Sequence, residues 1–181
     1  TIYARTDYTI YKSTNSAETW EIQNEGLVNT SVDFLTIDTV DPSTIYASTV
    51  NGVFKSTNAG SNWNSVNNGI SSLTVSDIVL DPLVPTTLYA VTSGGLFKGT
   101  NNGEIWNLIS SESEINSFAI NPTTPSTLFI GSLYGVFKST NGGDDWSKVY
   151  SGLPNASIYA LLIDISTPST IYAGTALGIF K

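Results

Sequence analysis

The 181-residue chain contains no cysteine, no histidine and no methionine. Without cysteine it has neither a disulfide framework nor a thiolate metal site. Without histidine it lacks the commonest general base and metal ligand. These absences exclude thiol chemistry and the usual histidine-based active sites.

Positive charge is also scarce, with 7 basic residues against 15 acidic ones and a formal net charge of −8. Nucleic acids and anionic membranes attract clustered lysines and arginines, so both are poor partners for this chain. No apolar run approaches the roughly 18 residues that suggest a membrane-spanning helix. A neutral or cationic partner fits the charge balance better.

What the chain does contain is an eight-residue motif that ends in tryptophan and occurs four times. Its copies lie about 40 residues apart, a period that is typical of β-propellers when the repeat consists of short strands and turns. The four copies are Ser13–Trp20, Ser56–Trp63, Gly99–Trp106 and Ser139–Trp146.

Each repeat contains four strand-like segments, which we name A to D from the inside of the predicted blade outwards. The most apolar segment is A; B alternates β-branched and aromatic residues, and a hairpin signal such as Asn51-Gly52 leads to C. Segment D follows the tryptophan. Segment A ends in Asp or Asn before a turn that contains proline, which terminates the strand.

These features predict an all-β fold, a β-propeller of four-stranded antiparallel blades. We expect about four full repeats and a partial one, as an arc or fragment of a larger propeller. The predicted single domain covers 1–181, with repeats at 1–43, 44–86, 87–126, 127–169 and, in part, 170–181.

The tryptophan motif resembles the Asp-box, Ser-x-Asp-x-Gly-x-x-Trp, and the resemblance covers essentially the whole chain. Asp-box repeats occur in sialidases, sortilin-type receptors, photosystem assembly-factor-like proteins and xyloglucanase-type glycoside hydrolases. The resemblance implies a propeller, in which these turns lie on the face opposite the usual ligand site. The structural residues of the motif are Asn15, Trp20, Asn58, Gly60, Trp63, Asn101, Gly103, Trp106, Asn141, Gly143 and Trp146.

Two departures from the Asp-box pattern affect what we expect of these turns. Asparagine replaces the aspartate in all four copies, so we expect a neutral cap of the turn and no calcium role. Ala17 stands in the first copy where the pattern has glycine, and Thr9 replaces the glycine of the first hairpin. We therefore expect the turns of the first repeat to be looser or differently shaped.

Candidate ligand-binding residues lie outside the motif. Tyr8 and Tyr134 fall on predicted B–C turns, where an aromatic ring can stack on a sugar or is simply a surface aromatic. Four further residues align near the starts of the A strands and would form a polar ring if they face the central channel. If they only line a solvated channel, they have no binding role. These residues are Asp33, Ser76, Asn116 and Tyr159.

Catalysis has one candidate residue. Sialidases need three arginines to bind the carboxylate of their substrate. Arg5 is the single arginine of this chain, which excludes sialidase activity for the chain alone. The segment Tyr3–Asp7 is similar to a segment of xyloglucanase-type hydrolases that carries a catalytic aspartate, which implies Asp7. However, Tyr8 and Thr9 stand where that family has two glycines, and the second carboxylate of an inverting pair would have to come from a later propeller.

The leading hypothesis is therefore a non-catalytic extracellular or periplasmic binding module for polysaccharide or protein, with neither metal nor cofactor. One alternative is a fragment of a xyloglucanase-type glycoside hydrolase that uses Asp7. Another is an assembly scaffold, in which open strand edges bind a further copy or further repeats. Asn29 and Asn155 begin glycosylation patterns that only a secreted eukaryotic protein would use.

Overall fold

The computed structural model describes residues 1–27, 30–149, 151–153 and 156–181, and these contain β-strands but no helix. All strand pairs are antiparallel and join sequence neighbours. The strands are β1 (Ile2–Arg5), β2 (Ile10–Ser13), β3 (Glu21–Ile22), β4 (Val32–Ile37), β5 (Ile45–Thr49), β6 (Gly52–Ser56), β7 (Asn64–Ser65), β8 (Val75–Leu80), β9 (Leu88–Thr92), β10 (Gly95–Thr100), β11 (Ile105–Ser110), β12 (Ile115–Ile120), β13 (Leu128–Ser132), β14 (Gly135–Ser139), β15 (Ser147–Val149), β16 (Ile158–Ile163), β17 (Ile171–Thr175) and β18 (Gly178–Phe180).

The strands form five sheets that follow one another along the chain. The second, third and fourth sheets each have four strands in the order A-B-C-D, namely β4–β7, β8–β11 and β12–β15. Within the described residues, the first sheet (β1–β3) has no A strand and the fifth (β16–β18) has no D strand. The predicted all-β fold with four-stranded antiparallel blades is confirmed.

Tight turns join the B and C strands. In the second sheet, Thr49 pairs with Gly52, whose φ of 104° is readily adopted only by glycine. The hydroxyl of Thr49 donates to the Gly52 carbonyl (2.8 Å), and the Asn67 amide accepts the Val53 N–H (2.7 Å). The first hairpin differs, because four residues, 6–9, separate its strands and the Thr6 N–H bonds to the Thr9 carbonyl.

The apolar core lies between successive sheets. The inner strands meet there, since β4 lies beside β8 and β12 beside β16. At the second and third sheets, for example, Tyr46 and Val53 pack against Leu88, Phe97 and Trp106, each at most 2% exposed. Each blade is therefore stabilised mainly by its neighbours.

The polar side chains of the motif turns accept hydrogen bonds from backbone N–H groups of the same turn. In the second copy, the Ser56 hydroxyl accepts the Gly60 N–H (2.9 Å), and the Asn58 side-chain oxygen accepts the Asn62 N–H (2.9 Å). The first and fourth copies make the same pair of bonds. The first copy does so although Ala17 adopts a φ of 73°, so the looser motif turn expected there is not seen.

The third motif copy is the one that differs. Gly99 replaces the serine, so the hydroxyl bond cannot form, and the turn is closed by the Gly103 and Glu104 N–H groups on the Thr100 carbonyl (3.1 Å each). Asn101 adopts a φ of 53°. A Cβ at Gly99 would lie 2.9 Å from the Trp106 ring, which explains why a side chain is not accommodated at this position.

The motif tryptophans connect neighbouring blades. Each of the last three rings donates its Nε1–H to a carbonyl of the preceding blade: Trp63 to Gln23 (3.0 Å), Trp106 to Val66 (2.7 Å) and Trp146 to Ile109 (2.8 Å). Such a bond satisfies the one polar atom of a large apolar ring as it becomes buried.

A second set of contacts runs in the opposite direction. Tyr3 and Lys12 of the first blade both donate to the Ala59 carbonyl in the motif turn of the second (2.9 and 3.0 Å). The Tyr46 hydroxyl donates to the equivalent carbonyl of the third copy, that of Asn102 (3.3 Å). The spacing of this tyrosine–lysine pair recurs in the sequence, but the sequence analysis did not predict that the pair connects neighbouring blades.

Trp106→Ala should cost roughly 3–5 kcal/mol of unfolding free energy, the usual range for removing a buried large aromatic side chain. Trp106 is only 2% exposed, whereas Trp20, at the same motif position, is 39% exposed. Trp20→Ala is thus a matched control and should cost less than half as much. Urea unfolding followed by circular dichroism would measure both, and equal losses would contradict the role given to the ring.

Candidate functional site

The loops of the blades are divided between two ends. At the hairpin end, the B–C turns lie beside the starts of the A strands, as shown by the Ser93 N–H bond to the Thr74 carbonyl (3.1 Å). At the motif end, the motif turns lie beside the A–B turns, where the Ala59 N–H bonds to the Ser43 carbonyl (2.8 Å). The sequence-predicted ligand residues belong to the hairpin end.

The four residues expected to form a polar ring share one structural position. In each A strand the pairing register shifts by one residue, which is a β-bulge, and the residue skipped by the ladder is the predicted one. A bulge turns its side chain away from the regular alternation of the strand. The four are Asp33, Ser76, Asn116 and Tyr159.

Their local bonds differ. The Asn116 amide donates to the Ile158 carbonyl of the next blade (2.9 Å), and the Ser76 hydroxyl donates to the Val91 carbonyl (3.3 Å). Tyr159 is 55% exposed. Thus the side chains of Asn116 and Ser76 bond to the backbone of neighbouring strands, while the ring of Tyr159 is exposed to solvent.

Tyr8 and Tyr134 lie on B–C turns as predicted from the sequence, on the first and fourth sheets. Their side chains are 66% and 54% exposed. Asp7 precedes Tyr8 in the same loop; its backbone carbonyl accepts the Val32 N–H (2.9 Å), and the residue is exposed. All three side chains are accessible at the hairpin end.

Three clefts, which we call together the inner groove, lie among the A strands of the second, third and fourth sheets. The first has a volume of about 220 Å³ and is lined by Phe34, Ser76, Asp77, Val91, Asn116, Ser117 and Phe118. The second, of about 190 Å³, shares Ser76 and Asn116 and adds Thr74, Thr92, Ser93, Glu114 and Ile115. The third, of about 420 Å³, shares Phe34 and Asp77 and extends to Thr36, Ile37, Thr39, Ile78, Val79, Leu80, Asp81, Pro82 and Pro85.

Asp77 is the groove residue that the sequence analysis missed. It immediately follows the bulge, at the position that Phe34, Ser117 and Ala160 occupy in the other blades. A comparison of the repeats with one another could have found it, because all four residues differ at this position while the next residue is always apolar.

The carboxyl group of Asp77 is partly buried. This burial raises its pKa above the ordinary aspartate value, and one hydrogen bond from the Ile78 N–H (2.8 Å) opposes the rise. A carboxylate that loses water without gaining a cation is costly, and such groups are concentrated at functional sites.

The other charged residues that line the three clefts are also carboxylates. Asp81 already has a structural role, since its side chain accepts the N–H groups of Leu83 and Val84 (2.9 and 3.0 Å) in the A–B turn. Glu114 is exposed, with a φ of 56°. The lining residues of the described clefts thus include acidic side chains but neither lysine nor arginine.

Most lysines lie elsewhere. Four of them lie in the C strands and a fifth, Lys181, directly follows β18; each has its ammonium group 5.7–6.0 Å from the centre of a ring on the adjacent B strand. Lys12, which bonds to a motif turn, shows that this row belongs to the motif end. The lysine row is therefore separated from the hairpin end of the groove, whereas the third cleft extends to Asp81 at the motif end. The pairs are Lys12–Tyr3, Lys55–Tyr46, Lys98–Tyr89, Lys138–Phe129 and Lys181–Tyr172.

An apolar cavity of about 150 Å³ lies between the fourth and fifth sheets. It is lined mainly by side chains of the blade interface, including Phe129, Val136, Leu161 and Phe180. Its walls are thus the apolar faces of two neighbouring blades.

Neither a metal cluster nor a membrane-spanning helix is found among the described residues. Within those residues, no group of three or more acidic side chains is arranged to hold a metal ion. Over the same ranges, no helix has the length and apolarity that crossing a membrane requires. The glycosylation candidates Asn29 and Asn155 lie outside the described residues.

Comparison with solved structures gives clear similarities of fold. An ancestral GH74 enzyme superposes with a TM-score of 0.80 at 23% identity, over 96% of this chain and 25% of that one. The extracellular domain of BT4673 from B. thetaiotaomicron gives 0.79 at 17% identity, over 98% and 25%. YCF48 from Cyanidioschyzon merolae gives 0.67 at 16% identity, over 98% and 64%.

These structures confirm the suspected resemblance to the propellers of xyloglucanase-type hydrolases and photosystem assembly-factor-like proteins, at the level of the fold. The chain spans about a quarter of the length of the first two. No protein-family model matches the sequence. No curated protein matches it either.

Asp77→Asn should raise the melting temperature at pH 7. The pKa of Asp77 is higher in the folded chain than in the unfolded chain, so ionisation opposes folding. The cost is absent below the ordinary aspartate pKa, where both states are protonated, and is complete above the folded-state pKa. Calorimetry at pH 3 and pH 7 should show stabilisation only at the higher pH. A lower melting temperature at pH 7 would contradict this account.

Proposed function

We propose that residues 1–181 form a single propeller domain that acts as a non-catalytic extracellular binding module, with a polysaccharide as its ligand at the hairpin end. The extracellular location is supported by the match to an extracellular domain of B. thetaiotaomicron. The choice of ligand is supported by the similarity to GH74 enzymes, one of which is a xyloglucanase.

The observation that carries the proposal is the pattern of variation among the repeats. Positions that blade packing requires are repeated, as in Val32, Val75, Ile115 and Ile158 at the starts of the A strands. The two positions that follow differ in every blade and lie at the same end of the inner strands. These pairs are Asp33-Phe34, Ser76-Asp77, Asn116-Ser117 and Tyr159-Ala160.

Such variation is expected where residues contact a ligand, and it occurs here although the Asn116 amide and the Ser117 hydroxyl also bond to the next blade. The pairs offer carboxylates, an amide, hydroxyl groups and two aromatic rings, the combination that binds the hydroxyl groups and the C–H faces of sugars. The two rings, those of Phe34 and Tyr159, are 54% and 55% exposed. Tyr8 and Tyr134 add two exposed rings at the same end.

Tyr8→Ala and Tyr134→Ala should each weaken retention of the protein on polysaccharide-containing native gels, because each removes an exposed stacking surface. Xyloglucan and barley β-glucan are suitable gel polymers. Tyr8→Phe and Tyr134→Phe are the matched controls, since they keep the ring and should keep most of the retention. Wild-type retention in both alanine variants would remove the two tyrosines from the site.

A hydrolase that uses Asp7 is the second candidate function, and one observation favours it. The residue is exposed at the hairpin end, on the same side of the molecule as the groove. If this alternative holds, a longer protein that joins residues 1–181 to a propeller with the second carboxylate should release reducing sugar from xyloglucan, and Asp7→Asn in it should lower that rate at least about a hundredfold, as expected for an essential acid or base.

The control for the hydrolase test is Asp144→Asn, an exposed aspartate at the motif end. Activity that survives Asp7→Asn would remove this assignment. Binding of xyloglucan without release of reducing sugar would favour the binding module.

A further inference from the structure

We propose that the inner groove prefers a positively charged glycan, one rich in unacetylated amino sugars, and that the Asp77 carboxylate holds its ammonium group. This inference rests on the proposed polysaccharide-binding function and specifies the class of sugar. It follows from the charge, the burial and the aromatic lining of the groove.

The charge of the groove distinguishes three classes of glycan. Asp77, Asp81 and Glu114 line the clefts, and the whole chain carries a formal net charge of −8. A glycan that carries uronic acid or sulfate would be repelled by these carboxylates. A neutral glycan would be tolerated, and a cationic one would be attracted.

Burial of Asp77 favours the cationic class over the neutral one. Its carboxylate is partly withdrawn from water and accepts a hydrogen bond from the adjacent Ile78 N–H, while no lysine or arginine is among the described residues that line its two clefts. Sugar hydroxyl groups could donate hydrogen bonds to it, but only a cation would also offset the charge. Charge-assisted bonds to such a group are about twice as strong as neutral ones.

Phe34 supplies a second contact. Its side chain is 54% exposed and lines both of the clefts that Asp77 lines. An aromatic face can pack against the C–H groups of a pyranose and also attracts a nearby ammonium group. The same ring–ammonium contact occurs within the chain, where the Lys55 ammonium lies 5.7 Å from the centre of the Tyr46 ring.

The size and position of the groove suit one part of a polymer. The largest of its clefts, about 420 Å³, falls in the range of small-molecule sites. The clefts share Phe34, Asp77, Ser76 and Asn116, so they form one elongated surface along the inner strands, from Thr74 and Ser93 at the hairpin end to the A–B turn at Pro82 and Pro85. A chain of sugars could extend from it towards Tyr134.

The experiment compares three hexasaccharides by calorimetry on the 181-residue chain at pH 6 and low salt. They are the glucosamine hexamer, the N-acetylglucosamine hexamer and cellohexaose, all β-1,4-linked. The glucosamine hexamer should bind at least about tenfold more tightly than the two neutral sugars, a difference typical of a hydrogen bond to a charged group. In 0.5 M NaCl this preference should largely disappear.

Two variants test whether Asp77 binds the ammonium group. Asp77→Asn should reduce the affinity for the glucosamine hexamer to that of the neutral sugars while leaving the neutral sugars unaffected. Asp144→Asn removes the same charge at the motif end and should leave all three affinities unchanged. An equal loss in both variants would show general charge attraction and would overturn the proposal.

The remaining outcomes separate this inference from the proposed function. Equal binding of all three hexamers that Tyr134→Ala weakens and Asp77→Asn does not would overturn the amino-sugar preference and retain the binding module. A salt-insensitive preference for the glucosamine hexamer would also overturn it. If none of the sugars and neither gel polysaccharide binds, both proposals fail.

Discussion

The contact between neighbouring blades is the interaction on which the rest of this structure depends. No sheet of three or four short strands could bury enough apolar surface alone, and each obtains its stability from the next. The contact is reciprocal. A tryptophan ring and its N–H reach back to the preceding blade, while a tyrosine and a lysine of that blade reach forward to a motif-turn carbonyl, as Trp63 and Tyr3 show.

This requirement determines which parts of the repeat are free to vary. The tryptophan, the motif turn and the apolar residues of strands A and B must match the next blade, so they recur in nearly every copy. The bulge at the start of each A strand directs its residue out of the ladder. Asp33, Ser76, Asn116 and Tyr159 can therefore differ without disturbing the strand pairing, and Asn116 uses this freedom to bond to the next blade. The fold thus separates its structural end from the end that can acquire a ligand.

The sequence was sufficient to predict the blades, because the features that specify them are local and repeated. The four strands of each central repeat, the Asn51-Gly52 turn and the caps of three motif copies all depend on residues close together in the chain. The groove was harder to predict, since its walls come from three different repeats. The sequence predicted that Ser76 and Asn116 face the same region, but it did not predict the neighbouring Asp77, because the other repeats have Phe34, Ser117 and Ala160 at that position and the alignment shows no shared polar residue there.

The third motif copy shows a different limit of sequence reasoning. Its asparagine suggested the same cap as in the other copies, yet the loss of one hydroxyl at Gly99 changed the turn. The reason lies within the motif, because Trp106 pairs with Gly99 across the strands and its ring occupies the space that a side chain at 99 would need. A pattern can therefore predict that a turn exists without predicting how it is closed, when a ring across the hairpin decides which atoms fit.

Asp77 represents a compromise between stability and binding. A partly buried carboxylate without a cation opposes folding at neutral pH, and Ser117 or Ala160 at the same position in other blades carries no such cost. Residues that cost stability in one copy of a repeat, while the other copies avoid them, are more readily explained by a ligand than by packing. The placement of the lysines fits this view, because five of them lie over the B-strand rings and none is among the lining residues of the three clefts. The proposed preference for a cation therefore rests on both the fold and the charge distribution.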